Sequence, residues 1–238
     1  MPDASPLRFV LASASPARRK LLRAAGIDPE VIVSGVDESQ VVTSQPDRLC
    51  LQLARLKAEA VVERISRPGW GAEGRTPLAG RAGDEGADGL YRTLVLGCDS
   101  VLAFDGEVLG KPASPEEAFR RWAAMRGRSG VLYTGHCMID PAGARAEAVA
   151  ATTVHFGDLD DAEIAAYVAT GEPLEVAGAF CIDGLGGPFV ERIEGDPGTV
   201  IGLSLPMLRA LLADFGLRVS DLWTGVPMRA QDGATVPS

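Results

Sequence analysis

The chain has 238 residues, 46% of them hydrophobic, and a formal net charge of −9 at pH 7. This length is sufficient for a substantial core, and the acidic balance argues against a general nucleic-acid-binding protein, which usually has a basic face. A small anionic ligand stays compatible with the charge, because a bound divalent cation can reverse the sign of an acidic pocket. No signal peptide or membrane-length apolar run is apparent. We therefore expect a cytoplasmic protein with no membrane and no nucleic-acid partner.

The first third of the chain predicts alternating strands and helices. An apolar run at 7–12 has strand length, and Ser15 and Pro16 then form an N-cap and first helical residue, with Gly26 at the C-cap. Residues 31–33 predict a second strand, and apolar residues at helical spacing predict a helix over 47–64. The following Gly- and Pro-rich stretch, at about 66–90, predicts a surface insertion loop.

In the middle of the chain, residues 94–96 predict a buried strand that ends at Asp99. Asp105-Gly106 between apolar runs predicts a hairpin. The sequence Ser114-Pro115-Glu116-Glu117 predicts a capping box and a helix that stops at Gly127. Residues 131–139 and 145–156 then predict two antiparallel strands.

The last third predicts a helix capped by Asp160 and closed by Gly171, a strand over 200–203, and a final helix from Ser204 to Gly216. Mixed strands, helices and hairpins predict an α/β fold with a partly antiparallel sheet. We expect a single domain over 1–223 and a frayed tail over 224–238.

Polar side chains at the first helix suggest an anion site. Ser13 and Ser15 precede a helix whose free N–H groups favour negative charge, and Arg18 lies one turn inside that helix. The planar guanidinium of Arg18 could bind a phosphate. A capped amphipathic helix with a solvated basic face is the alternative.

Asp99, with Ser100 beside it, follows an apolar run, and ligands in α/β sheets gather at the carboxyl ends of strands. A carboxylate at that position can hold Mg²⁺ or act as a general base; the alternative is that both residues simply begin a turn. Glu38 follows the second predicted strand and could add a metal ligand, with a solvated turn as the alternative.

Several familiar motifs are absent. The segment from Gly106 to Pro112 fails the P-loop pattern, because it has too few residues between its glycines and a proline after Lys111. Lys111 could still reach a phosphate as a point charge. The chain has no nucleophile elbow. Cys residues without Cys-x-x-Cys spacing predict buried free thiols.

Taken in order, the motifs resemble the Maf family of nucleoside triphosphate pyrophosphatases over about residues 8–217. The most specific pieces are Leu11-Ala12-Ser13-x-Ser15-Pro16-x-Arg18, Val36-Asp37-Glu38, Leu53-Ala54-x-x-Lys57-Ala58, Gly97-x-Asp99-Ser100, Gly106-Glu107-x-x-Gly110-Lys111-Pro112, Tyr133-Thr134-Gly135, Glu172-Pro173-Leu174, Ala177-Gly178 and Val200-Ile201-Gly202-Leu203.

The resemblance implies an elongated mixed sheet with flanking helices, similar to that of inosine triphosphatases, with two lobes around a central cleft and often a homodimer. It implies a bacterial hydrolase acting on acid anhydrides, which converts nucleoside triphosphates to monophosphate and pyrophosphate with Mg²⁺ or Mn²⁺. The implied roles are as follows: catalytic Asp99, Lys111, Lys57 and Arg18; substrate-binding Ser13, Ser15, Arg18, Ser100, Glu175 and Asp183; metal-binding Glu38 and Asp99.

The chain departs from the family where the base would be recognised. Members that prefer dTTP and UTP have Asp-Lys-Ala-Gly-x-Tyr-x-Ile-Gln-Gly, whereas this chain has Val176 for the lysine and Asp183 for the glutamine. Changes among buried polar partners can shift base selectivity strongly. The reaction class therefore follows from the resemblance, and the preferred base, including modified bases, stays open.

The resemblance implies nucleotide-pool housekeeping with a possible link to cell-division arrest. The alternatives are a catalytically weak nucleotide-binding regulator of division and a structural or interaction protein. A regulator would be stabilised by nucleotide without releasing pyrophosphate. A structural protein would show no change of melting temperature with nucleotide.

Overall fold

The computed structural model of the chain describes residues 7–41, 43–67, 70 and 92–224. Its centre is a seven-stranded mixed sheet in the order β2-β1-β3-β5-β6-β7, with β4 paired to β3. The strands are β1 Leu7–Leu11, β2 Glu30–Val31, β3 Arg92–Phe104, β4 Glu107–Leu109, β5 Ser129–Ile139, β6 Arg145–Phe156 and β7 Val190–Glu194. The predicted insertion at 66–90 and tail at 224–238 lie almost wholly outside the described residues.

The described residues form six α-helices: α1 Pro16–Ala24, α2 Pro46–Ile65, α3 Pro115–Met125, α4 Asp161–Ala169, α5 Pro197–Ile201 and α6 Leu205–Asp214. Ser15 caps α1 as predicted, and Asp160 forms a full capping box with Glu163 at α4. At α3 only half of the predicted capping box forms, because Glu117 accepts from the amide of Ala113 rather than that of Ser114. Within the described residues, no helix is long and apolar enough to cross a membrane.

Two expectations about strands are wrong. Residues 200–203 do not form a strand, because Asp196 caps α5 and Pro197 is its first residue, and Gly202 ends it in a left-handed conformation (φ +118°). Asp99 does not end a strand either, since β3 continues to Phe104. The reason is the pairing with β5, which extends along β3 from Val95 to Ala103. On the other edge of β3, β1 pairs in parallel as far as Leu96 and β4 pairs from Leu102.

Asp99 nevertheless lies just beyond the carboxyl end of a parallel strand. Strand β1 ends at Leu11, opposite Leu96, and Asp99 follows three residues later on β3. The antiparallel pairing of β5 with β6, and the Asp105-Gly106 turn, agree with the prediction. The loop after β1 therefore passes beside Asp99 and Ser100.

The two faces of the sheet carry different helices. One face packs Val10, Val95 and Ile139 against α2. The other packs Leu11, Leu96 and Cys98 with residues of α1 and α6, and farther along it packs Leu102 with α3 and α4. Neighbouring residues of a strand point to opposite faces, so Asp99 lies on the face that packs against α2. Ser100 lies on the other face, between Cys98 of the first apolar cluster and Leu102 of the second.

Helix α2 approaches the sheet closely over two glycines. A Cβ atom on Gly97 would overlap the carbonyl oxygen of Ala54 and lie 2.9 Å from the amide nitrogen of Ala58; one on Gly135 would overlap the backbone of Cys50. Because Lys57 lies on α2 between Ala54 and Ala58, this close approach carries Lys57 to Asp99.

Gly97→Ala should force α2 away from the sheet, because the overlap is with backbone that cannot move alone. We expect a loss of about 2 kcal/mol in the free energy of unfolding, as for an overpacked core. Gly110→Ala is the matched control, since no atom lies within 4 Å of its added Cβ. Urea unfolding of both variants measures the difference, and equal stabilities would contradict the close approach.

Candidate active site

Arg18 is held by three elements at once. Its Nε donates to the carbonyl of Gly202 at 2.6 Å, one terminal nitrogen donates to Ser13 Oγ at 3.1 Å, and the other donates to Ser100 Oγ at 3.0 Å. The side chain is buried on α1, which begins immediately after the loop that carries Ser13 and Ser15. A guanidinium has five N–H groups, so two are left for a ligand.

Ser100 belongs to a chain of hydroxyl groups with a defined direction. Thr134 Oγ1 donates its only proton to the carbonyl of Thr199 at 2.8 Å, so the 2.8 Å contact between Ser100 and Thr134 requires Ser100 to donate. Ser100 then accepts from Arg18. The Ser100 hydroxyl is thus oriented by both neighbours, which suits a contact residue better than a free nucleophile.

A second group lies on the opposite face of β3. Lys57 Nζ is 2.6 Å from Asp99 Oδ1 and 2.7 Å from Glu38 Oε1, so the ammonium joins the two carboxylates. Lys57 and Asp99 are both less than a tenth exposed, whereas the Glu38 side chain is about half exposed. Burial raises the pKa of Asp99, and the charges of Lys57 and Arg18 oppose that rise.

The carboxylates of Glu38 and Asp99 fit a divalent cation. Both carboxylates contact the Lys57 ammonium, so they already stabilise a positive charge at one position. Each also has a second oxygen that accepts no hydrogen bond from the described residues. No group of three or more His, Cys, Asp or Glu side chains suited to a metal occurs in the described part of the chain. Mg²⁺ commonly takes one or two carboxylates and completes its shell with water and phosphate oxygens, so two are sufficient.

The remaining predicted residues form two other ion pairs. Lys111 Nζ is 3.5 Å from Glu175 Oε2, with both side chains exposed. Asp183 lies 3.6 Å from Lys20 Nζ on α1 and accepts a 2.9 Å contact from Cys181 Sγ. Neither Lys111 nor Glu175 contacts Lys57, Arg18 or Asp99 among the described residues. Asp183 connects to that first group only through α1.

Sequence reasoning missed the residues that hold the segment 202–204. Besides the bond from Arg18 to Gly202, the backbone amide of Ser204 donates to Nε2 of the buried His136 at 2.9 Å. Burial lowers the pKa of His136 to about 4, so the ring is neutral at pH 7 and can accept this bond. The sequence has two histidines, His136 and His155, and neither lies in a motif that could have predicted this hydrogen bond.

The free thiols agree with expectation: Cys50, Cys98 and Cys137 are buried, and Cys181 is half-buried. Burial raises the pKa of Cys98 to about 12, and burial also raises that of Cys50 to about 12. These thiols are therefore protonated at neutral pH, and they pack as small apolar side chains.

Comparisons with known proteins show which family the chain belongs to. A family model described as Maf-like protein matches residues 8–215. The chain is 63% identical to a nucleoside triphosphate pyrophosphatase of Salinispora tropica over 94% of its own length and 91% of the relative, and 52% identical to one of Streptomyces avermitilis, over 94% and 98%. A solved dITP/XTP pyrophosphatase of Mycobacterium abscessus has 11% identity and a TM-score of 0.36 over 64% of this chain and 76% of that one, too low to support an argument.

Proposed function

Because this chain belongs to the Maf family and is an enzyme of the nucleoside triphosphate pyrophosphatase class, we propose that it hydrolyses nucleoside triphosphates at the group formed by Arg18, Lys57, Asp99 and Glu38. The observation that carries this assignment is the convergence of Lys57 on the carboxylates of Asp99 and Glu38. Arg18, on the other face of β3, is near enough for its charge to oppose the rise in the pKa of Asp99. The products would be a nucleoside monophosphate and pyrophosphate.

In the proposed reaction, a water oxygen forms a bond to the α-phosphorus while the bond to the bridging oxygen of the β-phosphate breaks. Asp99 accepts the proton of the attacking water, and burial, which raises its pKa, makes the carboxylate a stronger base. Negative charge grows on the departing pyrophosphate. Arg18 and Lys57 supply fixed positive charge against it, and Ser13 and Ser100 keep Arg18 in place.

A divalent cation, Mg²⁺ or Mn²⁺, would be held by Glu38 and Asp99 together with phosphate oxygens of the substrate. When bound, it would neutralise phosphate charge and lower the pKa of a nearby water. Lys57 has a second carboxylate partner, so it can release one of the two and still be paired. Its flexible stem allows this exchange.

Lys111, Glu175 and Asp183 would contact other parts of the substrate. Lys111 is exposed and could move toward the outer phosphates, and Ser15 at the start of α1 faces the same anion. Carboxylates only accept hydrogen bonds, so Glu175 and Asp183 are suited to the N–H and O–H groups of base and ribose.

Cytoplasmic location, a homodimer and a link to division arrest remain predictions from sequence.

The proposed function is tested by pyrophosphate release from the common ribo- and deoxyribonucleoside triphosphates and 7-methyl-GTP, with Mg²⁺ or Mn²⁺ and with excess EDTA. We expect time-linear formation of monophosphate and pyrophosphate with metal and none in EDTA. Release that continues in EDTA would contradict the metal assignment. No release from any nucleotide, with a melting temperature still raised by nucleotide, would instead favour the regulator.

A further inference from the structure

Glu172 is a carboxylate outside the catalytic group that accepts three hydrogen bonds. It accepts from the Tyr167 hydroxyl at 2.7 Å, from the amide of Gly186 at 3.0 Å and from the amide of Leu185 at 2.9 Å. Nothing in the proposed chemistry uses this residue. Three hydrogen bonds to one carboxylate nevertheless make a strong local constraint, because bonds to charged groups are stronger than neutral ones.

These bonds close a loop on itself. Glu172 lies at the start of the segment 172–187, and the two amides lie near its end, so one carboxylate fixes both ends of what we call the 172–187 loop. The loop carries Glu175 and Asp183, the two acidic residues proposed to face the base and ribose. Cβ atoms added to Gly184 and Gly186 would overlap Glu172 and Tyr167, so the end of the loop lies in close contact with these two side chains.

Tyr167, which donates to Glu172, packs against other aromatic side chains. Tyr167 packs edge-to-face on Trp122 at 5.6 Å and on Phe189 at 5.2 Å. Trp122 also donates to the carbonyl of Ala179 in the middle of the loop at 2.7 Å. Burial raises the pKa of Tyr167, so its hydroxyl keeps the proton that it donates to Glu172. The loop is thus held at both ends and at its centre by the buried aromatic cluster.

We propose that Glu172 is a positioning residue for base selectivity: it holds the 172–187 loop so that Asp183 and Glu175 meet the nucleoside end of the substrate. This inference rests on the proposed function and adds to it. Lys20 lies on α1, the helix that also carries Arg18, and its Nζ is 3.6 Å from Asp183 Oδ2. This contact links Asp183 to the helix that would bind the phosphates. The loop position therefore sets the distance between the selective carboxylates and the reacting phosphate.

The test is Glu172→Gln, in which one acceptor oxygen becomes an NH₂ group that faces a donor. We expect the ratio of kcat/KM between the best and the worst nucleotide of the panel to fall about tenfold, the value of one charge-assisted hydrogen bond. We also expect faster hydrogen exchange at the amides of Leu185 and Gly186. Tyr167→Phe removes one bond without touching those amides and should lower the ratio less.

Glu191→Gln is the matched control, because Glu191 is exposed on strand β7 and makes no hydrogen bond or ion pair to the described residues. It should leave the selectivity ratio and the exchange unchanged. An active wild type whose ratio survives Glu172→Gln would overturn the inference, as would unchanged exchange at the two amides. A wild type that releases no pyrophosphate would instead count against the proposed function, so the two failures are distinct.

Discussion

Asp99→Asn should reduce pyrophosphate release at least about 100-fold, the lower range for loss of a general base. Asparagine keeps the size of the side chain and can still accept from Lys57, but it cannot take a proton from water. The fold should tolerate the change. Lys57 retains Glu38 at 2.7 Å, so no buried charge is left without a partner. Initial rates at saturating nucleotide, with the melting temperature of the same sample, measure both effects.

Asp214→Asn is the control for this substitution, since Asp214 is an exposed carboxylate at the end of α6. It makes the same chemical change far from the candidate site and should leave the rate unchanged. Burial raises the pKa of Asp99, so ionised Asp99 adds little to stability and its replacement should shift the melting temperature only slightly. An Asp99→Asn enzyme with more than a tenth of the normal rate would remove Asp99 from the proposed chemistry.

Arg18→Lys should impair both stability and turnover, although it keeps the positive charge. The guanidinium makes three divergent hydrogen bonds, to Gly202, Ser13 and Ser100, and an ammonium on a shorter, unbranched group cannot reach all three. If two bonds are lost, we expect about 3 kcal/mol less stability, from the usual value of hydrogen bonds to charged groups. The rate should fall about 100-fold, as when one preorganised donor is removed.

Arg19→Lys provides the comparison, because Arg19 is the next residue on α1 and is exposed, and its side chain has no hydrogen-bond or ion-pair partner among the described residues. Its rate and its unfolding midpoint should match those of the wild type. Steady-state kinetics and urea unfolding on the two variants separate the roles. If Arg18→Lys kept its rate within threefold, the fork geometry of Arg18 would have no part in the reaction.

Local signals in the sequence predicted most of the helices. Ser15 and Pro16 marked the start of α1, and the spacing of apolar residues in α2 gave its extent within a residue or two. The Asp105-Gly106 turn likewise specifies the β3–β4 hairpin, because both residues adopt positive φ there. These features depend on neighbours in sequence, and so a reading of the residues alone can find them.

Long-range features were less accessible. The continuation of β3 past Asp99 depends on its pairing with β5, which extends from Val95 to Ala103 and which no local pattern records. The apolar run at 200–203 resembled a strand, although Asp196 and Pro197 carried the opposite signal. The candidate site residues came from the family resemblance. The contact between Lys57 and Asp99 joins positions 42 residues apart, and periodicity cannot predict such a pair.

The bond from Arg18 to Gly202 spans 184 positions, which has a consequence for synthesis on the ribosome. The N-terminal segment emerges first, but the carbonyl that fixes Arg18 is made only after most of the chain. A nascent chain therefore contains Lys57 and Asp99 well before it can contain an ordered Arg18. Structures that depend on such distant contacts form slowly and late. The complete phosphate site accordingly requires synthesis of the chain at least as far as Gly202.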